Sequence, residues 1–183
     1  VTVHWNTALA DVVSSSSYST YATAGIWDYS PVLGGLVTSL FGSPYGFAIA
    51  NDRPATVWTQ ELRLSSPDSS RLGWLFGGYF TDETSHEGEV FYLTDPVAHT
   101  VLYNGPNLGA SRNPTTYREF AAFANFDYHF TPTVDASVGG RYSHNDQTYH
   151  EIAPGLFCGG EDFGETSSEG VFTYSADVRW HVA

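Results

Sequence analysis

An alternation of period two, returning in segment after segment with its charges kept to one side, constrains this chain more than any other feature. Between residues 134 and 143, Val134, Ala136, Val138, Gly140 and Tyr142 share one parity; Asp135, Ser137, Gly139, Arg141 and Ser143 share the other. The final segment repeats it, with Phe172, Tyr174, Ala176, Val178 and Trp180 opposite Thr173, Ser175, Asp177, Arg179 and His181. Phe120, Ala122, Ala124, Phe126 and Tyr128 likewise alternate with Glu119, Ala121, Phe123, Asn125, Asp127 and His129. Successive side chains of a strand point to opposite faces, so each stretch specifies a two-faced strand. Residues 57–65 and 71–83 read the same way, as do residues 1–6 and a Ser-rich stretch at about 10–24. Helical spacing is nowhere sustained beyond two turns, and about seven strands of an all-β chain are predicted.

The connections alternate in length. Residues 7–9, 67–70 and 131–133 are short and made of Pro, Asp, Ser and Thr, the residues of tight turns. Residues 29–53, 84–115 and 150–169 are long, Gly- and Pro-bearing, and hold most of the acidic excess. Structureless loops beyond about 12–15 residues are uncommon in compact domains, and three on one edge argue against an ordinary sandwich. A transmembrane barrel combines short turns at one end, long loops at the other and strands with one apolar face. An Arg facing lipid at the midplane costs about 2–4 kcal/mol, so Arg63, Arg141 and Arg179 are predicted to share the inward, polar face. Aromatics gather near the strand ends on the apolar parity. Trp5, Trp74, Tyr128, Phe130 and Trp180 lie near the short turns; Phe80, Tyr142 and Phe172 lie toward the long loops, as two interfacial girdles would.

Composition narrows the function classes. The net charge is −13, all seven basic residues are Arg, and no basic footprint for nucleic acid exists. A single Cys excludes an internal disulfide and a Cys-based zinc site. With no Met even at position 1, the chain reads as a processed product or an excerpt. Residues 29–51 hold no Lys, Arg, Asp or Glu and so invite a transmembrane-helix reading. Pro31, Gly34, Gly35, Gly42, Pro44 and Gly46 punctuate them, and the helix cost of Gly (about 1 kcal/mol) and Pro (about 3) predicts a structured loop instead.

Specific residues carry a family resemblance. Thr59-Gln60-Glu61-Leu62-Arg63-Leu64-Ser65-Ser66-Pro67, followed by Arg71-Leu72-Gly73-Trp74-Leu75-Phe76-Gly77-Gly78-Tyr79-Phe80, resembles a hairpin of TonB-dependent outer-membrane receptors. Residues 120–132 and then Ala136-Ser137-Val138-Gly139-Gly140-Arg141-Tyr142-Ser143-His144 are similar to a second. The resemblance implies the outer membrane of a Gram-negative bacterium, and uptake of a large nutrient, most often a ferric siderophore, powered by the TonB complex. It implies a 22-strand barrel with a plugged lumen, of which seven strands are an open, up-and-down antiparallel segment; the plug and the TonB-contacting segment fall outside residues 1–183. Outer-membrane lipid and lipopolysaccharide are the surrounding partners it implies.

Candidate chemistry is sparse. In the uncharged loop, Tyr29, Phe41, Tyr45 and Phe47 offer either an aromatic surface for a ligand or packing among loops. Glu61/Arg63, Asp135/Arg141 and Asp177/Arg179 share the polar parity, as cross-strand ion pairs or as guides for a charged substrate. Asp82, Glu83, His86, Glu87 and Glu89 form one acidic and histidine-bearing group; His144, Asp146, His150, Glu151, Glu161, Asp162, Glu165 and Glu169 form another. Neither matches a Ca²⁺-loop or a zinc-helix spacing, so no metal is assigned, and they read as a solvated acidic rim bridged to lipopolysaccharide by divalent ions. Cys158 is free or pairs outside the excerpt. No nucleophile elbow or other catalytic constellation is present, no cofactor is implied, and no enzyme is predicted. A passive porin or adhesin segment would share the alternation and the loop asymmetry. A secreted β-sandwich that binds or cleaves carbohydrate would bury its apolar face against a second sheet.

Overall fold

The computed structural model describes residues 1–67, 71–106 and 108–181; the predicted turn at 67–70 therefore lies largely outside the described residues. Seven strands follow one another: β1 (Thr2–Asn6), β2 (Asp11–Asp28), β3 (Gly46–Ser65), β4 (Leu72–Thr94), β5 (Ala110–Thr131), β6 (Val134–Ala153) and β7 (Glu161–Trp180). One sheet holds them in chain order, each antiparallel to the next, and β1 and β7 do not meet. The predicted fold class is the observed one, an open up-and-down meander of seven strands.

The strands are longer than the alternation predicts. From β2 to β7 they run 18 to 23 residues, about twice the 9–11 that cross a bilayer at a tilt. About half of the residues expected in long loops are strand, and the connections shrink to residues 29–45, 95–109 and 154–160. The cause is chemical. Alternation reveals a strand only where one face is apolar, and in Glu83-Thr84-Ser85-His86-Glu87-Gly88-Glu89 both faces are polar while the ladder to β5 continues unbroken.

The stretch expected to be a structured loop contains a helix, α1 (Ser30–Phe41). Pro31 sits in its first turn, where the missing N–H has no intrahelical partner to lose. Gly42 ends it at φ 68°, its N–H donating to the Thr38 carbonyl at 2.9 Å. The residues that argued against a helix are thus its boundaries, and Gly34 and Gly35 are tolerated because packing supplies what propensity lacks. Val37 is wholly buried with Phe47, Leu93 and Leu108; Leu33, Phe41, Tyr45, Phe91, Leu102 and Phe157 pack around them. At 12 residues α1 is far too short to cross a membrane, and no described helix could; strands cross by other rules.

This cluster caps one end of the polar face. Among the described residues the apolar face carries no second layer: Phe76, Phe120 and Val138, all in interior strands, are 44%, 54% and 54% exposed. A sandwich would have hidden them.

Candidate functional site

The register fixes the faces. Val13, Arg63, Gly77, Phe123, Arg141 and Thr173 are paired in one row across β2 to β7, and Arg179 has the same parity as Thr173. Arg63, Arg141 and Arg179 therefore share one face, as predicted. The opposite face of the same strands reads Trp5, Val12, Leu64, Phe76, Ala124, Gly140 and Tyr174 in a single row.

The polar wall is built from ion pairs and aromatics. Arg141 donates to Glu119 at 2.6 Å and lies over the Tyr79 ring at 5.6 Å; the Tyr117 hydroxyl donates to the other Glu119 oxygen at 3.0 Å. Arg63 pairs with Glu61, and Arg179 with Asp177 at 3.7 Å. The last two pairs are formed within a strand, not between strands. The expected Asp135/Arg141 pair is replaced. Those two residues are six positions apart along β6, too far to meet, and Glu119 on the adjacent strand takes the guanidinium. Asp135 instead bridges two imidazoles, His129 at 2.7 Å and His181 at 2.9 Å. Between Arg63 and Arg141 the wall forms an open hollow of about 480 Å³, bordered by Tyr79, Phe123, Asn125 and Gly139. The far end of the Phe123 ring sits over Gly77, where any β-carbon would strike it.

Aromatic rows bound the apolar face. On the helix-bearing side Tyr18 pairs with Trp58, Trp58 meets Phe80 at 5.1 Å, and Phe80 meets Phe120 at 4.6 Å. On the other side Trp74 meets Phe76 at 5.5 Å and Tyr128 meets Phe130 at 4.7 Å. These rows run obliquely to the ladder. Following register from Trp5 on β1 leads to Tyr174 on β7, yet the boundary aromatic there is Trp180, six residues further along. The shift is one residue per strand, which for 3.3 Å per residue and 4.8 Å between strands is a tilt of about 35°. Transmembrane barrels tilt their strands by about 35–45°.

The four aromatics proposed from sequence as ligand contacts separate. Phe47 is 2% exposed, wedged between Phe91 at 5.9 Å and Phe157 at 5.5 Å. Phe41 and Tyr45 pack edge to face at 6.5 Å beside it, while Tyr29 stands 41% exposed at the start of α1. Their partners Phe91, Leu93, Leu108 and Phe157 escaped the sequence reading, as did Glu119 and Tyr79 on the polar wall. Parity alone placed Tyr79 with Arg63, a usable signal. The acidic and histidine groups are spread over strands, with His150 and Asp162 paired at 2.6 Å across β6 and β7 and His144 3.5 Å from Asp146. No three His, Cys, Asp or Glu side chains among the described residues converge on a metal position. Cys158, in the 154–160 connection, is unpaired and half-buried; burial first, then the charges of Glu89 and Glu151, push its thiol pKa up.

A tilted, single-layer sheet with one bare apolar band and one charged wall is the wall segment of a transmembrane β-barrel. Residues 2–183 match the family model described as TonB dependent receptor-like, beta-barrel, and the chain belongs to that family. Its fold is similar to the crystal structure of the ferric yersiniabactin uptake receptor FyuA from Yersinia pestis, with a TM-score of 0.66 and 16% identity. The match covers 96% of this chain and 23% of that one, so the chain spans under a quarter of the receptor's length.

Proposed function

We propose that the chain forms part of the wall of a Gram-negative outer-membrane receptor that imports a large nutrient, with a ferric siderophore as the substrate class. The observation that carries this reading is the division of the sheet. The band between the aromatic rows is apolar and uncovered, while the three Arg of that zone lie on the reverse face with their carboxylates. Such a wall suits acyl chains on one side and water or a plug on the other. Family membership supports energisation by the TonB complex, through parts of the protein outside these residues. In this reading Tyr29 supplies the aromatic contact to ligand at the mouth, and Phe41, Tyr45 and Phe47 hold α1 in place beneath it.

The test is uptake of radiolabelled ferric siderophores by cells carrying the intact receptor, with and without TonB and with a protonophore. Accumulation that requires both TonB and the proton gradient is expected. Diffusion of small solutes that ignores both would make the protein a passive porin.

A further inference from the structure

Every Glu of this chain, nine in all, falls on the inward parity of its strand. Beyond the upper aromatic row these carboxylates share the inward face with one arginine, Arg53; Arg112 and Arg118 stand at that height but on the outward parity. Arg53 pairs with Glu87, and at side-chain exposures of 57% and 37% this is a surface pair of the weak kind. Among the described residues Glu83, Glu89 and Glu151 have no arginine partner.

Within this wall the ladder lapses twice at one level. Pro54 and Pro114 stand in interior strands on either side of β4, level with His86, and a proline brings no N–H to the strand beside it. Arg53 and Pro54 are accordingly unpaired with β4, and Asn113 and Pro114 with β6, while the register resumes at the residues beyond. Here the inward face holds a hollow of about 160 Å³, bordered by Ser85, Glu87, Asn113, Thr115 and Tyr149 beside Arg53. Asn113 Oδ1 is out of contact with solvent and accepts from no donor, the one buried side-chain polar atom in that state among the described residues. Its register partner on β4 is Glu87. The Tyr149 hydroxyl donates to Glu151 at 2.9 Å, and its pKa is raised first by that bond, then by burial and by the charges of Glu151 and Glu87.

Every group short of a partner at this level is an acceptor. A buried amide oxygen without a donor is costly, and neighbouring carboxylates disfavour one another's charge. No three of the carboxylates converge on a metal position, so the gap suits something broader than a bare ion. A hollow roughly half the volume of the smallest drug-sized pocket admits one arm of a chelate and not its body. A primary ammonium is a compact positive charge with three N–H donors, able to serve several acceptors at once.

We propose that this hollow receives a pendant primary ammonium of the cargo, its N–H groups reaching Asn113, Glu87 and Glu151, so that the receptor favours chelates bearing a free amine over neutral or anionic ones. The assignment to a cargo rests on the import function proposed above; a free polyamine offers the same ammonium chemistry and is separated from it by competition.

The test is isothermal titration of the intact receptor in detergent with three ferric chelates: a tris-hydroxamate with a free pendant amine, the same chelate N-acetylated, and an anionic tris-catecholate. The amine form should bind about tenfold tighter than its acetylated twin, the factor that a charge-assisted hydrogen bond supplies, and the tris-catecholate should bind most weakly. Glu151→Gln, which keeps an acceptor for Tyr149, and Asn113→Leu should each shrink the preference without lowering the unfolding temperature. Arg53→Gln should widen it, because Glu87 loses its competing cation. Equal affinities for the twin chelates, a preference unchanged in all three variants, or no binding of any chelate would overturn the site. Cadaverine binding as tightly as the amine-bearing chelate would overturn its assignment to the cargo. Ammonium-dependent binding without TonB-dependent uptake in cells would instead refute the import function and leave the site standing.

Discussion

Cys158 shows how a side chain's surroundings set its chemistry more than its identity does. Its sulfur is half-buried next to Gly109 and near Glu89 and Glu151, so both desolvation and negative charge disfavour the thiolate. Since the thiolate is the reactive form and the folded pKa is raised, alkylation at pH 8 should be slower than that of an unhindered thiol and continue to accelerate as pH rises past 9. Glu151→Gln should quicken it at fixed pH. Maleimide labelling followed by mass spectrometry reads both effects; a rate equal to that of free cysteine would contradict the environment described. At this scale the sequence revealed parity but not partners. Arg141 was legible as inward-facing, yet its carboxylate is Glu119, set by the register between β5 and β6, which no local pattern encodes. Tyr29, Phe41, Tyr45 and Phe47 looked alike in an uncharged run. Their different burial comes from Leu93 and Leu108, distant in sequence, closing over Phe47.

Among the elements, strands were readable wherever one face is apolar and invisible where both are polar. That is why β6 was recognised from Val134 but not to its end at Ala153. The helix is hidden in the sequence because Pro and Gly break a helix interior, whereas here position makes Pro31 a start and Gly42 a stop. The two faces of β6 give a direct test. Val138→Arg points a guanidinium out from the middle of the apolar band and should destabilise the folded receptor by about 2–4 kcal/mol, whereas Ser137→Arg, on the charged wall, should cost far less. Equilibrium unfolding from lipid vesicles measures the difference. Equal costs would mean that the faces are assigned wrongly.

For the molecule as a whole, the sheet's two edges matter most. Among the described residues, β2 beyond Ser16 has no partner on its outer side, and β7 pairs only with β6. Unpaired backbone polar groups at a sheet edge have no acceptable place in hydrocarbon. Residues 1–183 expressed alone should therefore associate edge to edge in detergent, giving polydisperse oligomers in size-exclusion chromatography with light scattering. A monodisperse monomer would show that the edges are satisfied in some other way. The meander and its openness were legible in sequence because turn lengths and alternation encode them; the tilt was not, since it emerges only when register is laid against the aromatic boundary.

The length of the strands has a consequence for whatever lands on the cell. About half of each long strand stands clear of the aromatic boundary while its ladder keeps register. This part of the sheet is thereby a stiff wall about as tall as the apolar band below it, not a thicket of loose tethers. In the receptor reading proposed above, a cargo would meet walls already in their final shape, with little ordering entropy spent on capture and selectivity written into rigid relief.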